Sequence, residues 1–150
     1  TPSNPLLQIT DVKATAELAK TLKAILVVDN TFLSPALQNP IALGADIVIH
    51  STTKFINGHS DIIGGALIAK DAAVGDELKW WANCLGVTGG AFDAYQTLRG
   101  LRTLLPRIKQ HQPMSVYLNT QVSGQTTIAT EQHLNLTPTI SQLNEFKVAV

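Results

Sequence analysis

Two apolar segments of the sequence each lead to a side chain that could take part in catalysis. Residues 25–28 are followed by Asp29, and residues 46–50 are followed by a small hydroxyl cluster and then Lys54. The 16 residues between Val28 and Ala45 are enough for a crossover connection, so we predict two parallel strands. Because parallel strands end at the same edge of a sheet, the acid and the amine are expected to lie near each other.

This pair of groups matches the two ends of pyridoxal 5'-phosphate. The cofactor needs an amine that binds its aldehyde as a Schiff base, and a carboxylate that keeps its pyridine nitrogen protonated. Lys54 can supply the amine and Asp29 the carboxylate. Ser51 and Thr53 flank the lysine, and we expect their hydroxyls to bind the phosphate together with neighbouring backbone N–H groups. Asp29, at the end of a strand predicted to be buried, would need such a partner.

Each residue alone also has an ordinary structural interpretation. An aspartate after a strand is often a turn residue, and a lysine beside hydroxyls is usually part of a solvated loop. His50, His59 and Asp61 match no common metal-ligand spacing, so no metal is expected and the histidines are predicted to be hydrogen bonded. A series of arginines is interpreted as forming salt bridges on an exposed or interface face: Arg99, Arg102 and Arg107.

Composition limits the possible functions. Apolar residues make up 45% of the 150 residues, and 11 basic side chains balance 11 acidic ones, which argues against binding to nucleic acid or a membrane surface. No apolar run approaches the roughly 18 residues of a membrane span. The lone Cys84 indicates a reducing compartment, and we expect a cytoplasmic protein. Because the sequence has no initiator methionine and opens on a loop-like segment, we interpret it as a fragment of a larger protein.

The remaining pattern predicts an α/β fold, with a mostly parallel sheet flanked by helices. Asp11 is expected to cap a first helix, and residues 25–28 to form a strand buried on both faces. A short helix is predicted at residues 41–43, an antiparallel strand at 66–69, and helices at 71–85 and 91–105, where Pro106 ends or kinks the chain. Residues 1–112 are assigned to one partial domain and residues 113–150 to a divergent tail, with 119–139 irregular.

Residues 46–60 resemble the pyridoxal phosphate attachment signature of the trans-sulfuration family of Cys/Met metabolism enzymes. Residues 1–5 and 27–36 match the family as well, and the resemblance extends over about residues 1–110. It implies part of the large cofactor domain of a fold-type I, aspartate aminotransferase-like enzyme. It also implies that Lys54 is the attachment lysine, that Asp29 binds the pyridine nitrogen, that Ser51 and Thr53 bind phosphate, and that Asn4 lies near the phenolic oxygen and the substrate.

Within the family, residues 37–40, 80–83 and 86–93 most resemble the bacterial cystathionine γ-synthase branch. That resemblance implies a homotetramer acting on small amino-acid substrates: O-succinylhomoserine, or another O-acylhomoserine, and cysteine give cystathionine in methionine biosynthesis. A cystathionine β- or γ-lyase or a methionine γ-lyase is the alternative, because the signature is shared. A non-catalytic fragment is a further alternative, since the arginine that binds the substrate carboxylate in the family has no counterpart in this sequence.

Overall fold

A small three-stranded sheet with helices around it forms the centre of the fold. The computed structural model describes residues 1–123, with side chains described for residues 1–113. In chain order the elements are α1 (Val12–Thr21), β1 (Val27–Asp29), α2 (Ser34–Leu37), β2 (Ile47–Ser51), β3 (Gly65–Ala69), α3 (Ala72–Leu85), α4 (Ala91–Arg102) and α5 (Leu104–Ser123).

The sheet has the order β1-β2-β3 and is mixed. β1 and β2 are parallel, as predicted, with Asp29 opposite Ile49, and β3 is antiparallel to β2, with Gly65 opposite Ser51. The antiparallel pairing of β3 is also as predicted, because no helix lies between β2 and β3 and the chain turns back beside β2 instead of crossing over. The described sheet therefore contains one parallel and one antiparallel pair within the predicted α/β fold.

Helix α1 covers one face of this sheet. Its N-terminus is capped by Asp11, whose carboxylate accepts a hydrogen bond from the backbone N–H of Ala14 at 3.0 Å. Its apolar side contributes to a buried cluster with the sheet, made of Val12, Val28, Ala45 and Val48. Gly44 allows the close approach, because its φ is +107° and a Cβ atom there would lie 2.8 Å from the Cβ of Ala16.

The opposite face of the sheet remains partly open in the described part of the chain. Val28 is 7% exposed, whereas its neighbour Val27 is 46% exposed, and Ile49 on β2 is 38% exposed. Successive strand residues point to opposite faces, and α1 covers only one of them. The prediction that β1 is buried on both faces is thus wrong here.

Two short segments differ from the prediction. Residues 40–44 form turns, not a helix, and hydrogen bonds join Leu43 N to Pro40 O and Gly44 N to Ile41 O. The helix forms earlier, as α2, where Pro35 lies in the first turn and needs no intrahelical N–H acceptor. α2 packs against α5 through Ala36, Leu104 and Ile108, and this contact stabilises a helix at residues 34–37.

Helices α4 and α5 are separated at Thr103, not at Pro106 as predicted. Pro106 falls in the first turn of α5, where the N–H groups have no intrahelical acceptor, so a proline is tolerated. α5 continues to Ser123, which contradicts the predicted irregular structure for residues 119–123. The rest of the predicted irregular segment, residues 124–139, lies outside the described residues. Between residues 1 and 123, no helix is both long and apolar enough to cross a membrane.

We expect Leu104→Ala to destabilise the chain by about 2–5 kcal/mol, because it empties space in the α2–α5 contact, where Leu104 is 1% exposed. Leu98→Ala is the matched control. Leu98 is 48% exposed on α4, so we expect its truncation to cost less than about 1 kcal/mol. Urea denaturation followed by circular dichroism measures both changes. Equal costs would contradict the proposed role of this contact.

Candidate cofactor site

A cavity of about 1490 Å³ opens where β1 and β2 end. All five residues predicted to form the site line it: Asn4, Asp29, Ser51, Thr53 and Lys54. The structure therefore brings the acid, the amine and the hydroxyls of the predicted site to one place. Residues that were not predicted also contribute to the wall, including Thr31, Phe55, Asp61, Asp93 and His111.

Thr31 joins the ends of the two parallel strands. Its backbone N–H donates to Asp29 Oδ1 at 2.9 Å, and its Oγ1 accepts a hydrogen bond from the backbone N–H of Ser51 at 2.8 Å. The first contact has the geometry of an Asx turn, in which an aspartate binds the N–H two residues later. The order Asp-Asn-Thr after an apolar segment could have suggested this turn, but nothing local could have indicated the contact with Ser51.

Asp29 carries an ionised carboxylate at neutral pH. Partial burial by itself would raise the pKa of Asp29, but the hydrogen bonds from the side chain and backbone of Thr31, together with the charge of the N-terminus and a smaller contribution from His50, lower the pKa overall. The side chain is exposed, so the argument that a buried Asp29 requires a partner is wrong. Exposure instead leaves the carboxylate accessible from the cavity, where it can accept a hydrogen bond from a protonated ring nitrogen.

Lys54 lies in the turn that follows β2, and its side chain is exposed. Its backbone is held on both sides: Lys54 N donates to Ser51 O at 3.2 Å, and Lys54 O accepts from Gly58 N at 2.7 Å. The turn thus presents the amine at the edge of the cavity on a backbone that is tied to the end of the strand. This arrangement suits an amine that has to reach a carbonyl compound.

The groups predicted to bind the phosphate differ in whether they already form hydrogen bonds within the chain. Backbone N–H groups of residues 51–54 all donate to acceptors within the chain, so the expectation that they join in binding phosphate is wrong. The Thr53 hydroxyl contacts Gly64, accepting from its N–H at 3.0 Å and lying 3.3 Å from its carbonyl oxygen. The Ser51 hydroxyl makes no side-chain hydrogen bond within the described residues, and is therefore the more available ligand for an anion.

Asn4 reaches the cavity from the N-terminal segment, far from the other site residues in sequence. Hydrogen bonds fold this segment back on itself, from Ser3 N to Gln8 O at 3.0 Å and from Gln8 N to Ser3 Oγ at 3.1 Å. The Asn4 side chain is exposed on this loop and can approach a bound ligand.

His50 is buried on the strand that leads to the site. Only 2% of it is exposed, and within residues 1–113 no hydrogen-bond partner reaches its Nδ1. Burial lowers the pKa of His50 to about 4, although the nearby Asp29 partly opposes the shift. His50 is therefore neutral at pH 7. A hydrogen bond with the backbone of Asn30 agrees with the prediction that His50 is hydrogen bonded, and Nδ1 is the ring nitrogen left without a partner among residues 1–113.

The other two residues considered for a metal site, His59 and Asp61, both form hydrogen bonds with Asn57. His59 Nδ1 lies 2.6 Å from Asn57 O, and Asp61 accepts hydrogen bonds from Asn57 Nδ2 at 2.5 Å and Gln96 Nε2 at 3.2 Å. Among the described residues, no group of three or more potential metal ligands occurs. The donor set at the cavity instead combines an amine, an ionised acid and a free hydroxyl, which fits the aldehyde, ring nitrogen and phosphate of pyridoxal phosphate.

Comparison with known proteins supports this fit. Residues 1–142 match the family described as Cys/Met metabolism PLP-dependent enzyme, well beyond the span of about 1–110 over which we recognised the resemblance. The predicted division of the chain at residue 112 stays a prediction.

Solved structures of this family give the same fold: the cystathionine γ-synthase of Xanthomonas oryzae pv. oryzae, in complex with aminoacrylate and cysteine, aligns with a TM-score of 0.81 at 55% identity. The alignment covers 87% of this chain and 34% of that one.

Curated relatives show the same pattern. The chain is 60% identical over 124 residues to the cystathionine γ-synthase of Escherichia coli strain K12, an alignment that covers 80% of this chain and 32% of the relative. It is 50% identical over 112 residues to the cystathionine γ-lyase of Dictyostelium discoideum, covering 75% of this chain and 29% of the relative. The chain thus spans about a third of the length of these relatives.

Because the folded pKa of His50 is lowered to about 4, below its ordinary value of about 6.5, the unfolded chain binds the proton more readily. The contribution to stability is complete above about pH 6.5 and is lost as the pH falls toward 4, by on the order of 3 kcal/mol. Urea midpoints at pH 7 and pH 5 measure about 2 kcal/mol of this loss, because pH 5 still lies above the folded pKa.

We expect His50→Gln to reduce the difference between the two midpoints. His59→Gln is the control, because His59 is exposed, and it should leave the difference unchanged. If the urea midpoints of His50→Gln still differ between pH 7 and pH 5 as much as those of the unsubstituted chain, groups other than His50 cause the pH dependence.

Proposed function

Since the chain belongs to the Cys/Met metabolism PLP-dependent enzyme family, we propose that it provides the cofactor-attachment segment of a cystathionine γ-synthase. The reaction joins cysteine to an O-acylhomoserine, in particular O-succinylhomoserine, in methionine biosynthesis. The observation that carries the proposal is that Lys54, Asp29 and Ser51 line the same cavity. Identity to several γ-synthases, at 54–60%, supports this branch of the family.

Lys54 is the attachment residue in this proposal. When bound, pyridoxal phosphate supplies an electron-withdrawing ring that stabilises negative charge on the carbon next to the substrate amine. Lys54 Nζ holds the cofactor until the substrate amine takes its place. The released Lys54 amine then moves protons at the α and β carbons of the substrate, as general base and general acid. Its exposed position at the cavity edge supports this reach.

Asp29 and the hydroxyl residues orient the cofactor. The ionised Asp29 carboxylate accepts a hydrogen bond from the ring nitrogen and keeps the proton there, a role that its lowered pKa supports. Ser51 Oγ donates to the phosphate, and Thr53 Oγ1 adds a second contact if it exchanges its weak interaction with the Gly64 carbonyl. Asn4 is proposed to lie near the phenolic oxygen and the substrate.

At the substrate γ carbon, the bond between Cγ and the ester oxygen breaks and the acyl group leaves as its carboxylate. The cysteine thiol loses its proton to solvent, and the resulting thiolate sulfur forms the new bond to Cγ. The protons that Lys54 removes from the α and β carbons are returned to those carbons before cystathionine dissociates. We further propose that the complete enzyme is a homotetramer located in the cytoplasm.

A lyase function is the second candidate, because the relatives include lyases with about the same coverage. The cystathionine γ-lyase of Dictyostelium discoideum is 50% identical over 112 residues, and the cystathionine β-lyase of Coxiella burnetii is 48% identical over 111 residues. The attachment segment is common to both activities, so Lys54 and Asp29 do not distinguish them. A non-catalytic fragment is the third possibility, since the chain spans about a third of its relatives.

The assignment of Lys54 predicts site-specific labelling. After incubation of the full chain with pyridoxal phosphate and reduction with borohydride, peptide mapping should find the pyridoxyl group on Lys54. Lys70 is the internal control, because it is also exposed but lies beyond the opposite end of β2, where its N–H binds Asp46 O. Lys54→Ala should abolish the specific label, and a label mainly on Lys70 would contradict the assignment.

A chimaera tests the reaction. Residues 1–123 replace the matching segment of the Escherichia coli γ-synthase, and the product of O-succinylhomoserine plus cysteine is measured. We expect cystathionine at a rate within about 10-fold of the parent enzyme, and a loss of at least about 100-fold in Lys54→Ala, since that lysine performs the proton transfers.

The 150-residue chain by itself is the control, and we expect it to form no measurable cystathionine. A chimaera that only cleaves cystathionine would favour the lyase candidate, and an inactive but folded chimaera would favour the non-catalytic one. Turnover by the chain alone would contradict the expectation that the fragment is inactive.

A further inference from the structure

Arg107 contacts the backbone that follows Lys54. Its guanidinium donates from Nη1 to Phe55 O at 2.7 Å and from Nη2 to Ile56 O at 3.1 Å and to Gly100 O at 2.7 Å. Its Nε donates to Thr103 Oγ1 at 3.1 Å. The prediction that Arg107 forms a salt bridge on an exposed face is therefore wrong, because its hydrogen-bond partners are carbonyl and hydroxyl oxygens.

These contacts connect distant parts of the chain. Phe55 and Ile56 lie 52 and 51 residues before Arg107, whereas Gly100 lies 7 residues before it, at the end of α4. A guanidinium has five N–H groups in a planar fork, so one side chain can bind several carbonyls at once. A lysine ammonium at this position could not reproduce that geometry. Arg107 thus joins the segment after Lys54 to the junction of α4 and α5.

Two glycines make room for this arrangement. Gly58 has a φ of +75°, and a Cβ atom at Gly58 would overlap the Arg107 guanidinium. A Cβ atom at Gly100 would collide with the backbone of Ile56 and Asn57. The segment of residues 55–58 is therefore enclosed by α4 on one side and by the guanidinium on the other.

The enclosed segment is well ordered by other contacts as well. Ile56 is 7% exposed and Asn57 is 1% exposed, and Asn57 N donates to Thr52 O at 2.9 Å. Partial burial lowers the pKa of Arg107 from its usual value, which reflects the loss of water around the guanidinium. Hydrogen bonds from a charged donor are stronger in such surroundings, and leaving the carbonyls without a donor would be costly.

We propose that Arg107 is a positioning residue for Lys54. By binding the carbonyls of the two residues that follow Lys54, Arg107 fixes the turn from which the Lys54 amine reaches the cavity. The inference rests on the proposed function of Lys54 as the attachment residue. It assigns no contact between Arg107 and the cofactor, which would be held by the residues already described.

The test measures the reactivity of Lys54 in the full chain. Arg107→Ala, Arg107→Lys and the control Arg102→Ala, at an exposed arginine of α4, are incubated with pyridoxal phosphate. Borohydride traps the product at successive times, and mass spectrometry gives the label at Lys54 and at Lys70. The ratio of the two labels distinguishes positioning from general stability, because unfolding would remove the difference between the two lysines.

We expect Arg107→Ala to slow labelling of Lys54 by about 10-fold or more, since small displacements of a reacting group are costly, while labelling of Lys70 is unchanged. Arg107→Lys should recover only part of the rate, and Arg102→Ala should match the unsubstituted chain. Normal labelling of Lys54 in a folded Arg107→Ala variant would overturn the inference.

The labelling experiment has two further outcomes, one in which Arg107→Ala does not fold and one in which Lys54 is not preferred. If Arg107→Ala loses its circular dichroism signal, the ratio in Arg107→Lys decides: a lower Lys54 label with normal Lys70 supports the inference, and an unchanged ratio overturns it. If Lys54 is not labelled preferentially in the unsubstituted chain, the proposed role of Lys54 as the attachment residue is wrong. This result differs from a failure of the Arg107 inference, in which Lys54 is labelled normally both in the unsubstituted chain and in the Arg107 variants.

Discussion

The parallel pairing of β1 and β2 is the constraint on which the site depends. It places Asp29 opposite Ile49, two residues before Ser51, so that an acid from one strand and a hydroxyl from the next meet at one edge. Thr31 then fixes the two ends by binding both Asp29 Oδ1 and Ser51 N. Without this pairing, nothing would bring Asp29 and Lys54, which are separated by 24 residues, to the same cavity.

The turn around Lys54 satisfies its own backbone before any ligand is present. N–H groups of residues 51–54 bind acceptors within the chain, and Arg107 supplies the donors for Phe55 O and Ile56 O. The phosphate contact that we propose at this edge therefore comes from side chains, chiefly the Ser51 hydroxyl, and not from an array of amides. A backbone that is already satisfied is also stiff, which suits an amine that must be held in one position.

The surface away from the site retains large apolar groups. α3 contains no buried residue, and Trp80 and Trp81 lie edge to face with their ring centroids 4.8 Å apart while remaining 57% and 48% exposed. The exposed side chains of α4 include Phe92 and Tyr95. α4 also contributes to the candidate site, because Asp93 in its first turn lines the cavity.

The sequence by itself determined the local chemistry of this protein. Apolar segments that lead to Asp29 and Lys54, the lengths between them and the cap residue Asp11 predicted the parallel pair, the antiparallel return and the major helices, because these features depend on segment lengths and neighbouring residues. Tertiary structure decided the rest: the position of α2, the break at Thr103, the exposure of Asp29 and the role of Arg107. These depend on contacts such as that between Arg107 and Phe55, 52 residues apart, and local periodicity contains no information about them.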